Sequence, residues 1–208
     1  MTGTGFGIRE RVIGIVETLL YSPRTTARMS AVVLSSFLSV ALGVAGLYLG
    51  DNFHTVVPGE LYRSAQPTPE LITDYQKSYG IKTIINLRGE NVGSAWYDAE
   101  LAQSRRLGID LVNFRMSAKR DFTEERLTEL VEILRRVEKP VLVHCTSGAD
   151  RSGLVSAFYV AAVAKLGEEA AESQITFWYG HVPLWFTPAY AMTRSFEVLE
   201  PALGFHGS

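Results

Sequence analysis

The chain has 208 residues, a formal net charge of −2 and a single cysteine. This length fits one domain of ordinary size with an addition, and the absence of excess basic charge argues against a nucleic-acid partner. One thiol excludes both a disulfide framework and a cysteine-rich zinc site, so the cysteine is either a small buried residue or a reactive group.

The first predicted element in the chain is an apolar helix. The 22 residues from Met29 to Gly50 carry no charge, and as a helix they would extend roughly 33 Å, close to the hydrocarbon thickness of a bilayer. A buried core helix and a cleaved signal peptide are the alternatives. The length and the lack of a polar face favour a retained transmembrane anchor at 29–50, through which the protein would contact a membrane.

The charges beside this stretch predict its orientation. Arginines are frequent before it and rare just after it, and positive charge is retained on the cytoplasmic side of a membrane. We therefore expect a single-pass protein with a cytoplasmic N-terminal segment at 1–28. The rest of the chain, at 51–208, would then form a separate domain on the non-cytoplasmic side. The stretch 6–21 fits either a helix in the membrane interface or a frayed cytoplasmic helix.

From residue 51 onward, short apolar runs alternate with helical patterns. The runs predict buried strands at 81–87, 109–115 and 139–145. The helical patterns lie at 69–80, 94–108, 123–138 and 152–167, with a further helix near the C-terminus. Thr123 is a predicted N-cap. This alternation favours an α/β fold with a central, mostly parallel sheet and helices on both faces.

One loop, HCTSGADRSG at 144–153, concentrates the reactive side chains. It follows a predicted strand and precedes an apolar helix, so we expect it at the carboxyl edge of the sheet, where α/β proteins bind ligands. The helix N-terminus offers free amides and a partial positive charge, which together bind anions. The candidate phosphate-binding residues are Thr146, Ser147, Gly148, Ala149, Asp150 and Arg151.

Cys145 is the second residue of this loop, and Arg151 follows six positions later. The field that attracts a phosphate dianion also stabilises a thiolate, so we expect the pKa of Cys145 to lie well below that of a free thiol. Arg151 carries the planar fork that binds two phosphate oxygens at once. Together they predict phosphoryl transfer without a metal or another cofactor.

The segment HCTSGADRSG resembles the signature loop of the cysteine-dependent protein tyrosine and dual-specificity phosphatases. GELYRSAQPTPE at 59–70 and IKTIINLRGE at 81–90 extend the resemblance to their compact bacterial and fungal-type members. The resemblance implies that Cys145 attacks phosphorus and forms a phosphocysteine while Arg151 and the loop amides hold the phosphate. It also implies that His144 holds the loop and helps to lower the thiol pKa, and that Ser152 stabilises the departing thiolate.

The general acid has two candidates. The leaving oxygen needs a proton, and the chain lacks the Trp-Pro-Asp loop of larger tyrosine phosphatases. Asp121, in the loop after the middle strand, is the favoured residue. Asp150 is the alternative, because some lipid-directed and bacterial members of the superfamily carry an aspartate at that place in the signature.

The function has one leading interpretation and several alternatives. The leading one is hydrolysis of phosphotyrosine or a related phosphomonoester on a protein. A phosphorylated lipid or glycan is the second substrate class, favoured by the predicted anchor, its orientation and Asp150. An inactive phosphate-binding scaffold module is disfavoured by the intact signature residues, and a rhodanese-type sulfurtransferase by the sequence Arg151-Ser152-Gly153.

Residues outside the signature keep several interpretations. Arg63 and Arg88 either add positive field at the pocket mouth or form ion pairs with nearby glutamates. His181 is interpreted as a packed histidine rather than a catalyst. The aromatic residues between 177 and 186 are most simply core, although a membrane interface or the wall of a substrate pocket is also open.

Overall fold

The structure, a computed structural model, describes residues 23–206. Its contacts divide the chain between Gly46 and Leu47 into two compact units. The helix α1, Pro23–Leu49, accounts for the described part of the first unit. The stretch 6–21 lies outside the described residues, as does most of the predicted N-terminal segment 1–28.

The predicted transmembrane anchor at 29–50 is wrong. Across residues 23–206, no helix combines the length and the apolar character that a membrane crossing needs. The prediction rested on the absence of charge, whereas hydroxyl groups recur along this stretch; those of Ser35, Ser36 and Ser39 donate to carbonyls of the preceding turn. The predicted single-pass topology and the placement of the domain on the non-cytoplasmic side are corrected with it.

The second unit alternates strands and helices. Its strands are β1 His54–Val57, β2 Leu61–Ser64, β3 Thr83–Asn86, β4 Asp110–Asn113 and β5 Val141–His144. Its helices are α2 Pro69–Tyr79, α3 Ala95–Leu107, α4 Glu124–Arg136, α5 Asp150–Phe158, α6 Glu168–Glu172 and α7 Tyr190–Leu203. A π-helical turn, Tyr159–Val163, continues α5, and a 3-10 turn covers Phe177–Tyr179.

The five strands form one mixed sheet in the order β1-β2-β5-β3-β4. β1 and β2 are antiparallel, because only a short turn through Gly59, at φ 75°, joins them. The other three pairings are parallel, since a helical crossover separates those strands in sequence. The α/β part of the predicted fold is therefore present, and the transmembrane part is not.

Alternate side chains of β5 enter two separate cores. Leu142 packs with Ile72 and Tyr75 of α2 on one face of the sheet. Val141 and Val143 belong to the larger core on the other face, which α4, α5 and α7 complete. Successive strand residues point to opposite faces, so this division shows that helices cover both sides of the sheet.

The predicted elements are found with shorter or shifted ends. The predicted N-cap at Thr123 is confirmed, because its Oγ1 accepts a hydrogen bond from the amide of Arg126. The helix predicted at 152–167 begins earlier, at Asp150, and changes to a π-helical turn at Tyr159. The earlier start brings Asp150 and Arg151 into the first turn of the helix.

The aromatic residues between 177 and 186 are not core. Most of them are exposed: Phe177 by 50%, Trp178 by 82%, Trp185 by 80% and Phe186 by 65%. Tyr179 is the exception, since its ring lies 4.4 Å from the guanidinium carbon of Arg63. The composition predicted burial, but these rings lie on the 3-10 turn Phe177–Tyr179 and on a turn at 185–186, where four of the five remain exposed.

Candidate active site

The central strand β5 positions the predicted loop. β5 ends at His144, level with Ser64 of β2 and Asn86 of β3. Because the three strands are parallel, their carboxyl ends meet, and the loop lies between the segments that follow β2 and β3. The loop then leads directly into α5, which begins at Asp150. It therefore joins the centre of the sheet to a helix N-terminus, as the sequence predicted.

Cys145 is the first residue of the loop and is 1% exposed. Its Sγ lies 3.6 Å from Oγ of Ser152, in the first turn of α5. A hydroxyl at this place is able to donate to a thiolate. The N-terminal end of α5 also favours negative charge nearby. The structure thus brings together the predicted nucleophile and the predicted stabiliser of its leaving form.

The carbonyls of the loop bond to groups outside it. The amide of Gln66 donates to Thr146 O (3.3 Å), and Asn52 Nδ2 donates to Ser147 O (2.8 Å). Arg63 Nη2 donates to both Gly148 O (2.9 Å) and Ala149 O (2.8 Å). These peptides are trans, so each following N–H points away from its captured carbonyl. The amides of residues 147–150 therefore face the opposite side of the loop, where they can bind an anion.

Gly148 is required by the shape of this loop. Its φ is +73°, a conformation that side chains with Cβ adopt at a cost. A Cβ added there would lie 2.6 Å from the amide nitrogen of Ala65 and 2.7 Å from the carbonyl carbon of Ser64. The loop thus lies directly against the backbone after β2, and no larger residue fits without moving it.

Arg151 folds back over the loop from the first turn of α5. Its Nη2 donates to Oγ1 of Thr146 (2.9 Å), and its Nη1 donates to the carbonyl of Leu87 (3.4 Å). Its Nε is buried and has no hydrogen-bond partner among the described residues. A guanidinium edge held in this way retains a donor for a bound oxyanion.

His144 is held from behind by a glutamate that the sequence analysis missed. His144 Nε2 lies 2.6 Å from Oε1 of Glu100, and both side chains are fully buried. The other ring nitrogen lies 3.5 Å from the carbonyl of Cys145. Glu100 Oε2 accepts in turn from Gln66, so the ring is fixed relative to both the nucleophile and the segment after β2. In sequence, Glu100 was only a polar position of a helix.

Arg88 lies at the edge of the site. Its guanidinium carbon is 3.4 Å from the centre of the Trp96 ring, and its Nη1 donates to Gln66 Oε1 (2.8 Å). Burial lowers the pKa of Arg88, and the positive charge of Arg151 lowers it further. Of the two sequence interpretations, the added positive field near the pocket therefore fits Arg88.

Asp150 does not stand free beside Arg151. Its Oδ1 lies 2.8 Å from Nδ1 of His181, a fully buried ring whose Nε2 lies 2.8 Å from Oγ1 of Thr193. The carboxylate is thus tied to the segment before α7. His181 is a packed histidine, as predicted, and its partner is one of the two candidate acids.

Asp121 lies in the loop between β4 and α4, and 57% of its side chain is exposed. Its Oδ1 accepts from Nη2 (2.6 Å) and Nε (3.0 Å) of Arg194, itself 49% exposed. The next residue, Phe122, donates its amide to Ser195, so α7 holds this end of the loop. No hydrogen bond joins Asp121 to the signature loop among the described residues.

The sequence analysis did not consider Asn52, and it considered Arg63 only as a source of field at the pocket mouth or as an ion-pair partner. Both are buried, at 7% and 0% exposure, and both bond to carbonyls of the signature loop. Within residues 23–206 Arg63 bonds to backbone carbonyls and forms no ion pair with a glutamate, and the carboxylate of Glu60 accepts from Tyr159. The only sequence signal was that Arg63 falls within GELYRSAQPTPE, the stretch that carried the resemblance.

A family model matches the part of the chain that contains this site. The model described as DSP-PTPase phosphatase fused to NAD+ kinase matches residues 49–180, more than half of the chain.

Solved structures show the same fold. TpbA of P. aeruginosa is similar with a TM-score of 0.56 and 23% identity, over 74% of this chain and 91% of its own. The catalytic core of the PP-IP phosphatase SIW14 from S. cerevisiae has a TM-score of 0.53 and 21% identity, over 74% and 91%. Tk-PTP in its active form has a TM-score of 0.55 and 18% identity, over 72% and 97%.

Proposed function

The chain belongs to the DSP-PTPase phosphatase family and is a cysteine-dependent hydrolase of phosphomonoesters, and on this premise we propose that Cys145 is its nucleophile and Arg151 its phosphate-binding arginine. We also propose that residues 51–208 form the phosphatase domain. One observation carries the assignment of the site. The buried thiol of Cys145, the unpartnered Nε of Arg151 and the amides of residues 147–150 belong to a single loop at a helix N-terminus.

The reaction proceeds in two displacements. The thiolate of Cys145 attacks phosphorus, the bond from phosphorus to the ester oxygen breaks, and the leaving oxygen takes a proton from the general acid. Water then attacks the phosphocysteine and gives its proton to the same carboxylate, which releases inorganic phosphate and the thiolate. Ser152, 3.6 Å from the sulfur, donates to the thiolate as it leaves. The loop amides and Arg151 neutralise the phosphoryl oxygens in both steps.

Asp121 is the proposed general acid. Its ion pair with Arg194 is exposed on both sides, and an exposed pair costs little to break when a loop moves over a substrate. Asp150 is bonded to a fully buried histidine, and separating that pair would leave a buried polar group without a partner. This difference supports a catalytic role for Asp121 and a structural one for Asp150.

An aryl phosphate such as phosphotyrosine is the proposed substrate class. TpbA has been solved in complex with pTyr, and SIW14 is a PP-IP phosphatase, so the fold accepts both kinds of phosphate in other proteins. The lipid or glycan alternative depended on the membrane anchor and on Asp150 as the acid. No helix over residues 23–206 is long and apolar enough to cross a membrane, and Asp150 is engaged by His181.

The test uses the single cysteine of the chain. The purified protein should hydrolyse 4-nitrophenyl phosphate in the presence of a metal chelator, and Cys145→Ser should abolish turnover. Rapid alkaline quenching of the wild type should trap phosphate on the peptide that contains Cys145, because the phosphorus–sulfur bond of a phosphocysteine persists in base. Because there is one thiol, alkylation by iodoacetate should inactivate the enzyme in proportion to modified Cys145, and inorganic phosphate should slow the modification.

The matched control is Thr83→Val, which removes a buried hydroxyl bond at the opposite end of β3. It should retain turnover. Turnover that survives Cys145→Ser would contradict the mechanism, as would an alkylation rate that phosphate leaves unchanged.

A further inference from the structure

Two side chains outside the signature loop hold three successive carbonyls of that loop. Asn52 Nδ2 donates to Ser147 O at 2.8 Å. Arg63 Nη2 donates to Gly148 O at 2.9 Å and to Ala149 O at 2.8 Å. Asn52 precedes β1 and Arg63 lies within β2, so both belong to the antiparallel edge of the sheet.

Arg63 is enclosed on every side. Its Nη1 donates to the carbonyl of Gln174 (2.7 Å), and the ring of Tyr179 lies against its guanidinium. A Cβ added to Gly153 would lie 3.0 Å from Arg63 Nη2, so the first turn of α5 leaves room for this group. Burial lowers the pKa of Arg63 to about 10, while a negative charge on Cys145 opposes that shift. The side chain is therefore still a cation at neutral pH.

Asn52 is held in an unusual backbone conformation. Its φ is +42°, in the left-handed region that asparagine and glycine adopt more readily than other residues. Its Oδ1 lies 2.7 Å from Nε2 of His54, and its Nδ2 reaches both Ser147 O and Tyr179 O (3.0 Å). Because Nδ2 has two protons and two carbonyl acceptors, the orientation of this amide is fixed.

The carbonyls that are bonded to Asn52 and Arg63 determine where the amides that follow them in the loop point. In a trans peptide the C=O and the following N–H point in opposite directions. The bonds from Asn52 and Arg63 therefore turn the amides of Gly148, Ala149 and Asp150 towards the side where a phosphate would bind. A loop without these bonds would have to order its peptides when the anion arrives, which reduces affinity.

We propose that Asn52 and Arg63 are positioning residues that hold the signature loop in its anion-binding form before the substrate arrives. They act through the loop backbone and do not touch the phosphate. This inference rests on the proposed function, in which the same loop binds phosphate.

The test measures the affinity of the full chain for inorganic phosphate by calorimetry, which requires no turnover. Asn52→Gly removes the side-chain amide while glycine retains the positive φ at no cost. Arg63→Lys retains a charge but loses the fork that bonds two carbonyls and Gln174. Each variant should weaken phosphate binding by roughly two- to tenfold per lost bond, the range expected for one buried hydrogen bond.

A merely structural role predicts a different result. It would lower the thermal midpoint and the number of binding sites, but the Kd of the folded fraction would stay the same. Thr83→Val is the matched control, because it removes a buried bond to a carbonyl at the far end of β3 and should change stability alone. Asn52→Gly keeps the test decisive if Arg63→Lys does not fold.

The outcomes separate the two proposals. Weaker binding in Asn52→Gly, with Thr83→Val unchanged, supports the positioning role. If the wild type binds phosphate and both Asn52→Gly and Arg63→Lys bind it with the same Kd, the positioning role is overturned. The phosphatase mechanism is then left intact. A wild type that does not bind phosphate overturns the proposed function and this inference with it.

Discussion

Asp150 Oδ1 lies 2.8 Å from Nδ1 of His181, a ring that is fully buried between the signature loop and α7. Asp150, the residue before Arg151, is therefore part of the attachment of α5 to the C-terminal segment. Asp121 has the opposite character, since its ion pair with Arg194 is exposed. This contrast gives the two candidate acids different expected behaviour when each is replaced.

Asp121→Asn should lower kcat by roughly 10²- to 10⁴-fold, the range of a general acid. The loss should be larger for phenyl phosphate than for 4-nitrophenyl phosphate, because nitrophenolate leaves readily without a proton. Steady-state rates with both substrates measure this difference. Asp150→Asn should lower the thermal midpoint and reduce both rates by the same factor. A leaving-group dependence in Asp150→Asn but not in Asp121→Asn would reverse the assignment.

Ser152→Ala should slow the second displacement. The hydroxyl lies 3.6 Å from the sulfur of Cys145, so its loss leaves the departing thiolate with one donor fewer. We expect kcat to fall by about tenfold, in line with one charge-assisted hydrogen bond, and the phosphocysteine to accumulate. Stopped-flow release of nitrophenol should then show a burst that is stoichiometric with enzyme. A lower rate without a burst would place the effect of Ser152 in the first step.

Gly148→Ala should abolish phosphate binding and destabilise the domain. The new Cβ would lie 2.6 Å from the amide nitrogen of Ala65, in addition to the cost of a positive φ. Gly80→Ala is the control, because Gly80 has φ +71° but no atom within 4 Å of the added Cβ. It should cost only about 1–2 kcal/mol of backbone strain. Equal effects of the two substitutions on phosphate affinity would contradict the close contact described here.

His54 should make the domain less stable in mild acid. Burial lowers the pKa of His54 below its usual 6.5, the charge of Arg63 lowers it further, and Asp51 opposes them. The pKa of His54 is therefore lower in the folded state than in the unfolded state. At a pH between these two values, the unfolded state binds more protons than the folded state. The free energy of unfolding is therefore fully retained above pH 6.5. It falls as the pH decreases from 6.5 to the lower pKa of the folded state.

Urea unfolding at a series of pH values from neutral to about 5 measures this dependence. His54→Gln removes the titrating ring and retains a side chain able to donate to Asn52. Its stability should change less with pH than that of the wild type. Parallel pH profiles for the two proteins would show that another group is responsible.

Local patterns were sufficient to predict the secondary-structure elements and the loop that carries the candidate site. The alternation of apolar runs and helical patterns predicted the α/β sheet, and Thr123 caps its helix as expected because capping involves only residues within one turn. The spacing of Cys145 and Arg151 was informative for the same reason. Their geometry is set by a short loop between one strand and one helix.

The predictions that failed inferred the environment of a segment, a membrane or the protein core, from its composition alone. Lack of charge suggested a membrane anchor at 29–50, yet no helix over residues 23–206 meets the requirements for a crossing. Aromatic content suggested core between 177 and 186, yet Trp178 and Trp185 are about four-fifths exposed. Burial depends on which other segments pack against a stretch, and this is decided by the whole fold.

The sequence alone supplied the groups on which the proposed chemistry of the signature loop depends: a thiol, a helix start and a guanidinium fork. The tertiary structure decided what holds them in place. Asn52 is 95 positions from Ser147, and Arg63 is 85 from Gly148. Glu100, in α3, lies against His144 at the end of β5. Such contacts leave no periodicity or spacing in the sequence, because they form only when the folded sheet and its helices bring distant segments together.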